Sequence, residues 1–175
     1  MALTRRVRRQ LQIQGFACPT DEEFERLAPW LRFSPVACSA AGAVGTLLAS
    51  PALLVGLAAT AVVGAVTGVH PFDTLYNHGI RRLTRTDSLP RNATPRRFAC
   101  AVATVWLLAT AGAFRSGRDR LGRALGALFV LTSGLNAAYV CVPSMVYRAL
   151  TGWPADSSPG ETGVDERDAV TRPEP

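Results

Sequence analysis

The chain has no lysine; all nineteen basic residues among its 175 are arginine. Charge of either sign is also missing from three long windows, 33–72, 98–114 and 124–147. An unpaired ion in hydrocarbon is costly, so uncharged runs of this length are what a bilayer selects for. The overall hydrophobic content of 48% hides this, because polar ends dilute a dense middle. Close cysteine pairs are absent too. Cys18, Cys38, Cys100 and Cys141 lie far apart, which excludes a zinc-ribbon spacing. The chain has two histidines, His70 and His78, at a spacing that does not pair them for a metal. It has no glycine-rich phosphate loop, nucleophile elbow or paired carboxylates. Neither a metal nor a cofactor is expected.

The basic start, Arg5, Arg6, Arg8 and Arg9, lacks the apolar run that a signal peptide needs, since Gln10, Gln12 and Gln14 interrupt it. Residues 1–19 read as a cytoplasmic arm at the headgroups. The formal charge of +6 comes from arginines that flank apolar windows. Anionic lipid headgroups are therefore the expected partner, rather than nucleic acid. Arg81, Arg82, Arg85, Arg96 and Arg97 are the candidates for those contacts.

Residues 1–32 form a basic arm with an amphipathic lead-in helix. Thr20 and Glu23 make a capping box, Phe24, Leu27, Ala28 and Leu31 share a face, and Pro29 bends or restarts the helix. The window 33–69 would be about 55 Å long as one helix, against a hydrocarbon core of about 30 Å. It is expected to fold in two, with the break at Ser50-Pro51, where Ser50 caps and Pro51 suits a first helical turn. Gly64 and Gly68 form a small-xxx-small pair. After His70-Pro71 a surface helix over 71–85 is expected, with Phe72, Tyr76, Ile80 and Leu83 on one face.

The fold class that follows is all-α: a membrane domain over 33–150 with spans near 33–49, 51–69, 98–114 and 124–147. Pro143 is a possible kink in the last span, and a disordered polar tail occupies 151–175. Four spans put both termini on one side. Fifteen arginines assigned to that side, against four in the 115–123 loop, predict cytoplasmic termini and a plasma-membrane location. Asn136 is the deepest polar residue and is expected to bond between helices. His70 could carry protons, with Asp73 or Tyr76 fixing its tautomer.

The elements Cys18-Pro19, His70-Pro71-Phe72, Pro95-Arg96-Arg97-Phe98-Ala99 and Cys141-Val142-Pro143-Ser144-Met145-Val146-Tyr147 occur in an ordered series. In that order the chain resembles the bacterial membrane family described as domain of unknown function 4395, over about residues 16–150. The family's late motif is Cys-x-x-Cys-x-x-Tyr, and its second cysteine is Ser144 here. The resemblance implies thiol or sulfur metabolism beside a thioredoxin-like or sulfurtransferase partner. The serine removes the vicinal pair that would cycle between dithiol and disulfide.

Three functional readings follow. The first is a membrane scaffold or accessory protein that places partners through its arginine loop and tail. The alternative is a thiol- or sulfur-handling redox protein using Cys141, with Cys18, Cys38, Cys100 and His70 as further candidates. Against that alternative, cysteine is also an ordinary small filler of helix interfaces. A small-molecule carrier is the third reading, disfavoured because no span holds an internal carboxylate or arginine.

Overall fold

In the computed structural model, residues 5–16, 21–84 and 88–152 are described. Cys18, Thr20, Arg85 and the polar tail beyond Gly152 lie outside the described residues. All regular structure among the described residues is helical.

Helix α1 (Arg5–Ile13) and α2 (Asp21–Leu27) are followed by a 3-10 turn, Trp30–Arg32. That turn runs directly into α3 (Phe33–Leu47), so the chain restarts after Pro29 as the proline requires. α4 (Pro51–Thr67) follows after three residues. Ser50 Oγ accepts from the Leu53 amide at 3.4 Å, with Pro51 in the first turn, which is the break expected from sequence. α4 ends on Gly68, whose φ of 71° is left-handed and favours glycine. The two glycines of the small-xxx-small pair therefore have different reasons. Gly68 terminates a helix, whereas a Cβ on Gly64 would lie 2.9 Å from the His70 ring and 3.2 Å from Cys100 Sγ.

The surface helix forms as α5 (Pro71–Leu75), a π-helical turn Tyr76–Ile80 and α6 (Arg81–Thr84). The π turn corrects the expected face. It carries more residues per turn than an α-helix, so residues beyond it rotate out of register. Tyr76 is fully buried, while Leu83 is 87% exposed.

α7 (Thr94–Arg115) starts four residues before the uncharged window, so Arg96 and Arg97 lie inside its first turn. α8 (Asp119–Ala137) and α9 (Val142–Thr151) replace the continuous last span expected over 124–147. The two are bent by 80° at the break. Two local features explain it. Tyr139 adopts a left-handed φ of 70°, and Pro143 in the first turn of α9 has no amide to continue the ladder. What was expected as a kink is a full break.

α3, α4, α7 and α8 close a ring in which each packs on two neighbours, and α9 lies against α7. Small residues let them approach. A Cβ on Gly42 would meet Phe129, and one on Gly126 would collide with Thr46. The lead-in segment does not simply lie on a surface. Leu11, Phe16, Leu27, Ala28 and Leu31 form a second core with Tyr76 and Leu89.

By length and apolarity, α7 alone qualifies as a membrane-crossing helix among the described residues. Up to three qualify if each bent pair counts as one span: Pro51–Thr67 with Pro71–Leu83, and Asp119–Ala137 with Val142–Thr151.

Candidate functional site

A cavity of about 150 Å³ lies inside the helix ring. Cys38 reaches it from α3, Cys100 and Arg96 from α7, and Cys141 from the start of α9. His70 joins them from the turn between α4 and α5, and Asn136 from the end of α8. Leu57, Ala103, Trp106, Leu107 and Phe129 supply much of its apolar wall. Three of the four cysteines singled out in sequence are thus brought to one space, and all three are free thiols.

His70 is held by the helix it starts. As N-cap of α5, its Nδ1 accepts from the Phe72 amide at 3.3 Å. A backbone N–H can only donate, so Nδ1 is the bare nitrogen and the proton of the neutral ring sits on Nε2. Nε2 is 3.8 Å from Cys38 Sγ. His70 is therefore a donor to that sulfur, not the base that removes its proton. The backbone fixes the tautomer; Tyr76 belongs to the other core. Asp73 contributes differently, turning back three residues later toward the His70 amide as the partner in a capping box does.

His70 and Asp73 are both more than nine-tenths buried. Burial, with the Arg96 charge adding to it, pushes the imidazole down to about 4, so the ring is neutral near pH 7. Burial likewise pushes the Asp73 carboxyl up, opposed by Arg96, the His70 amide, Ser34 and Asn92 around it. Asn92 sits there without a well-formed hydrogen bond to either of its side-chain polar atoms.

Cys141 is the N-cap of α9, and Ser144 one turn on has its Oγ 3.1 Å from Cys141 Sγ and 3.2 Å from the Pro95 carbonyl. A hydroxyl has one proton, so it serves one acceptor at a time. Both residues are fully buried. Ser144 thus stands where a second thiol would meet Cys141.

The arginines expected at headgroups divide. Arg96 turns inward and is 6% exposed, with its guanidinium 4.7 Å from the Phe16 ring centre. Its inward position corrects the headgroup assignment. Successive helix positions point about 100° apart, so Arg96 and Arg97 leave α7 in different directions. Arg97 is exposed and donates to the Ala65 and Val66 carbonyls at 2.8 Å each, closing the end of α4. Arg82 is exposed and Arg81 half-buried. Asn136 lines the cavity with its Oδ1 buried and unbonded, in place of the expected interhelical bond through that oxygen. No cluster of three metal-ligating side chains occurs among the described residues. Phe16 was not singled out as a site residue in the sequence, and Arg96 was assigned to headgroups rather than to the cavity. The one signal was the adjacent pair Arg96-Arg97 at a helix start.

A family model described as Domain of unknown function (DUF4395) matches residues 28–151. The chain belongs to this family. No curated protein and no solved structure matches it. The family region contains the whole cavity lining, whereas α1 and Phe16 precede it.

Proposed function

We propose that this DUF4395 protein is a membrane protein that handles thiols or small sulfur compounds inside its helix ring, with Cys141 among the reacting groups. The observation that carries this reading is the convergence of Cys38, Cys100 and Cys141 on one cavity beside His70 and Arg96. The shared cavity gives the thiol reading a specific observation that the membrane scaffold lacks, so the thiol reading is preferred. Ser144 limits the chemistry. Cys141 must exchange with Cys38, Cys100 or an incoming sulfur compound, or form a mixed disulfide or persulfide, rather than close a vicinal disulfide. A thioredoxin-like or sulfurtransferase protein remains the proposed partner.

The membrane setting is supported by what the outer surface carries. Leu47 on α3, Val66 on α4, Val105 on α7 and Leu131 on α8 are 76, 68, 69 and 59% exposed. Apolar side chains presented outward from all four ring helices are what lipid solvates and water does not. In the proposed arrangement the four ring helices cross the plasma membrane, the 71–84 segment lies at the interface, and both termini are cytoplasmic. Arg82 and Arg97, exposed at that edge, would meet anionic headgroups.

The test is replacement of Cys38, Cys100 and Cys141 by serine in the full chain, alone and together, with growth measured under thiol-oxidising and sulfur-limiting conditions. A defect that follows these positions supports the reading. A triple variant indistinguishable from the parent would sink it.

A further inference from the structure

We propose that the cavity selects small sulfur electrophiles bearing one negative charge, and that Arg96 sets this preference. The inference rests on the thiol reading above and adds the substrate class.

Arg96 is the one charged residue among those lining the cavity; its neutral neighbours include His70, Asn136, Thr132 and Ser133. A guanidinium stays charged in any protein setting. In a half-open space with mostly apolar walls its field is less screened than at a fully exposed surface. Asp73 is outside the lining but interacts electrostatically with Arg96 and with Cys38 and Cys100, so it offsets part of that charge. The Phe16 ring sits over the guanidinium and covers it without offering a carboxylate. The balance inside the cavity favours an anionic group near Arg96 and penalises a cationic one. The volume limits size. About 150 Å³ matches a cavity that accommodates a benzene-sized guest. A chain of two or three carbons with an anionic head fits within this volume; a tripeptide thiol would have to extend out of it.

The reaction is an exchange that needs no separate oxidant. A cysteine, as its thiolate, attacks the sulfenyl sulfur of a thiosulfonate. The new bond is the cysteine–sulfur disulfide, the bond that breaks is sulfenyl sulfur to sulfonyl sulfur, and methanesulfinate leaves with the electron pair. The thiol proton goes to solvent. The cysteine sulfur is oxidised and the thiosulfonate reduced.

The test uses the detergent-solubilised full chain and three methanethiosulfonates: the anionic 2-sulfonatoethyl, the neutral methyl and the cationic 2-trimethylammonioethyl reagents. Peptide mass mapping reads Cys38, Cys100 and Cys141 separately from Cys18. Each rate is divided by that of a free small thiol with the same reagent. The anionic reagent is expected to exceed the cationic one by at least about tenfold, the low end of what a focused single-sign cleft produces. Arg96→Lys should keep most of that ratio, and Arg96→Gln should bring it close to unity.

A wild-type ratio near or below one overturns the inference, as does a ratio unchanged in folded Arg96→Gln. Should Arg96→Gln fail to fold, Asp73→Asn decides. It removes the offsetting carboxylate and keeps an amide oxygen as acceptor for the His70 amide, so the ratio must rise; an unchanged or lower ratio overturns the proposal. Modification by all three reagents without charge preference defeats the inference and leaves the thiol reading standing. If even the neutral reagent modifies none of the three cysteines, both fall.

Discussion

His70 is a helix cap and a cavity residue at once, and those two roles give a pH-dependent stability. The unfolded histidine takes a proton near 6.5, whereas the folded ring refuses one until about 4. Stability is therefore lost as pH falls through that window, by at most about 3 kcal/mol for such a shift. Asp73 acts in the opposite sense. Its raised folded value stabilises at low pH, and that contribution is lost as pH rises through it. Asparagine is a strong N-cap, so His70→Asn keeps an acceptor for the Phe72 amide without a titrating group. Melting temperatures in detergent should fall less steeply for His70→Asn than for the parent between pH 6.5 and 4. A second residue-scale prediction concerns Ser144. Its Oγ is 3.1 Å from Cys141 Sγ. Ser144→Cys should therefore form an intramolecular disulfide with Cys141 under mild oxidant, seen by mass as the loss of two hydrogens. Persistence of two free thiols would show that the helix start cannot accommodate the bond.

At the scale of elements, helix contact depends on glycines that a hydropathy plot does not weigh. Gly126→Ala would drive a methyl group into Thr46 where α8 meets α3. The expected cost is about 1–3 kcal/mol, the range for overpacking a close contact. A Cβ at Gly112 on α7 meets nothing within 4 Å, so Gly112→Ala should be neutral or slightly stabilising and serves as the comparison. Thermal unfolding of both variants in the same detergent checks the pair. Equal melting temperatures would mean that α3 and α8 are not packed this closely. The helix starts at Pro51 and Pro71 were legible at this scale, whereas the starts at Thr94 and Val142 were not, the sequence placing the third span from residue 98 and reading Pro143 as a kink. Pro51, Pro71, Pro95 and Pro143 each fall in the first turn of a helix, where a missing amide is tolerated. The π turn at Tyr76–Ile80 was not legible, because it depends on Tyr76 being drawn into a core built by Leu11, Phe16 and Leu31 from another part of the chain.

For the whole molecule, the outward apolar surface and the inward polar cluster make one statement about the surroundings. Exposed leucine and valine side chains ring the bundle, while His70, Asp73, Arg96 and Asn92 are sequestered within it. In the proposed membrane setting these exposed apolar side chains would face lipid. The chain should stay with the membrane after alkaline or high-salt washing and leave it only with detergent. Reporter tags at the two ends should be protected on the same, cytoplasmic side. Release by salt alone, or tags on opposite sides, would remove the proposed topology. The α8–α9 bend of 80° makes the second half of this prediction the more demanding one, since it places α9 away from the direction of α8.

The sequence by itself determined the all-helical class, the apolar windows, the turn at Ser50-Pro51 and membership of a family through short ordered motifs. These are local properties, set by composition and by the fixed backbone demands of proline and capping serine. Only the tertiary structure decided that Cys38, Cys100 and Cys141 share a cavity, that Arg96 turns inward while Arg97 closes α4, and that Ser144 lies against Cys141. Such placements depend on how each helix is rotated against its neighbours. That rotation is fixed by contacts between residues far apart in the chain, such as Gly64 with His70 and Cys100.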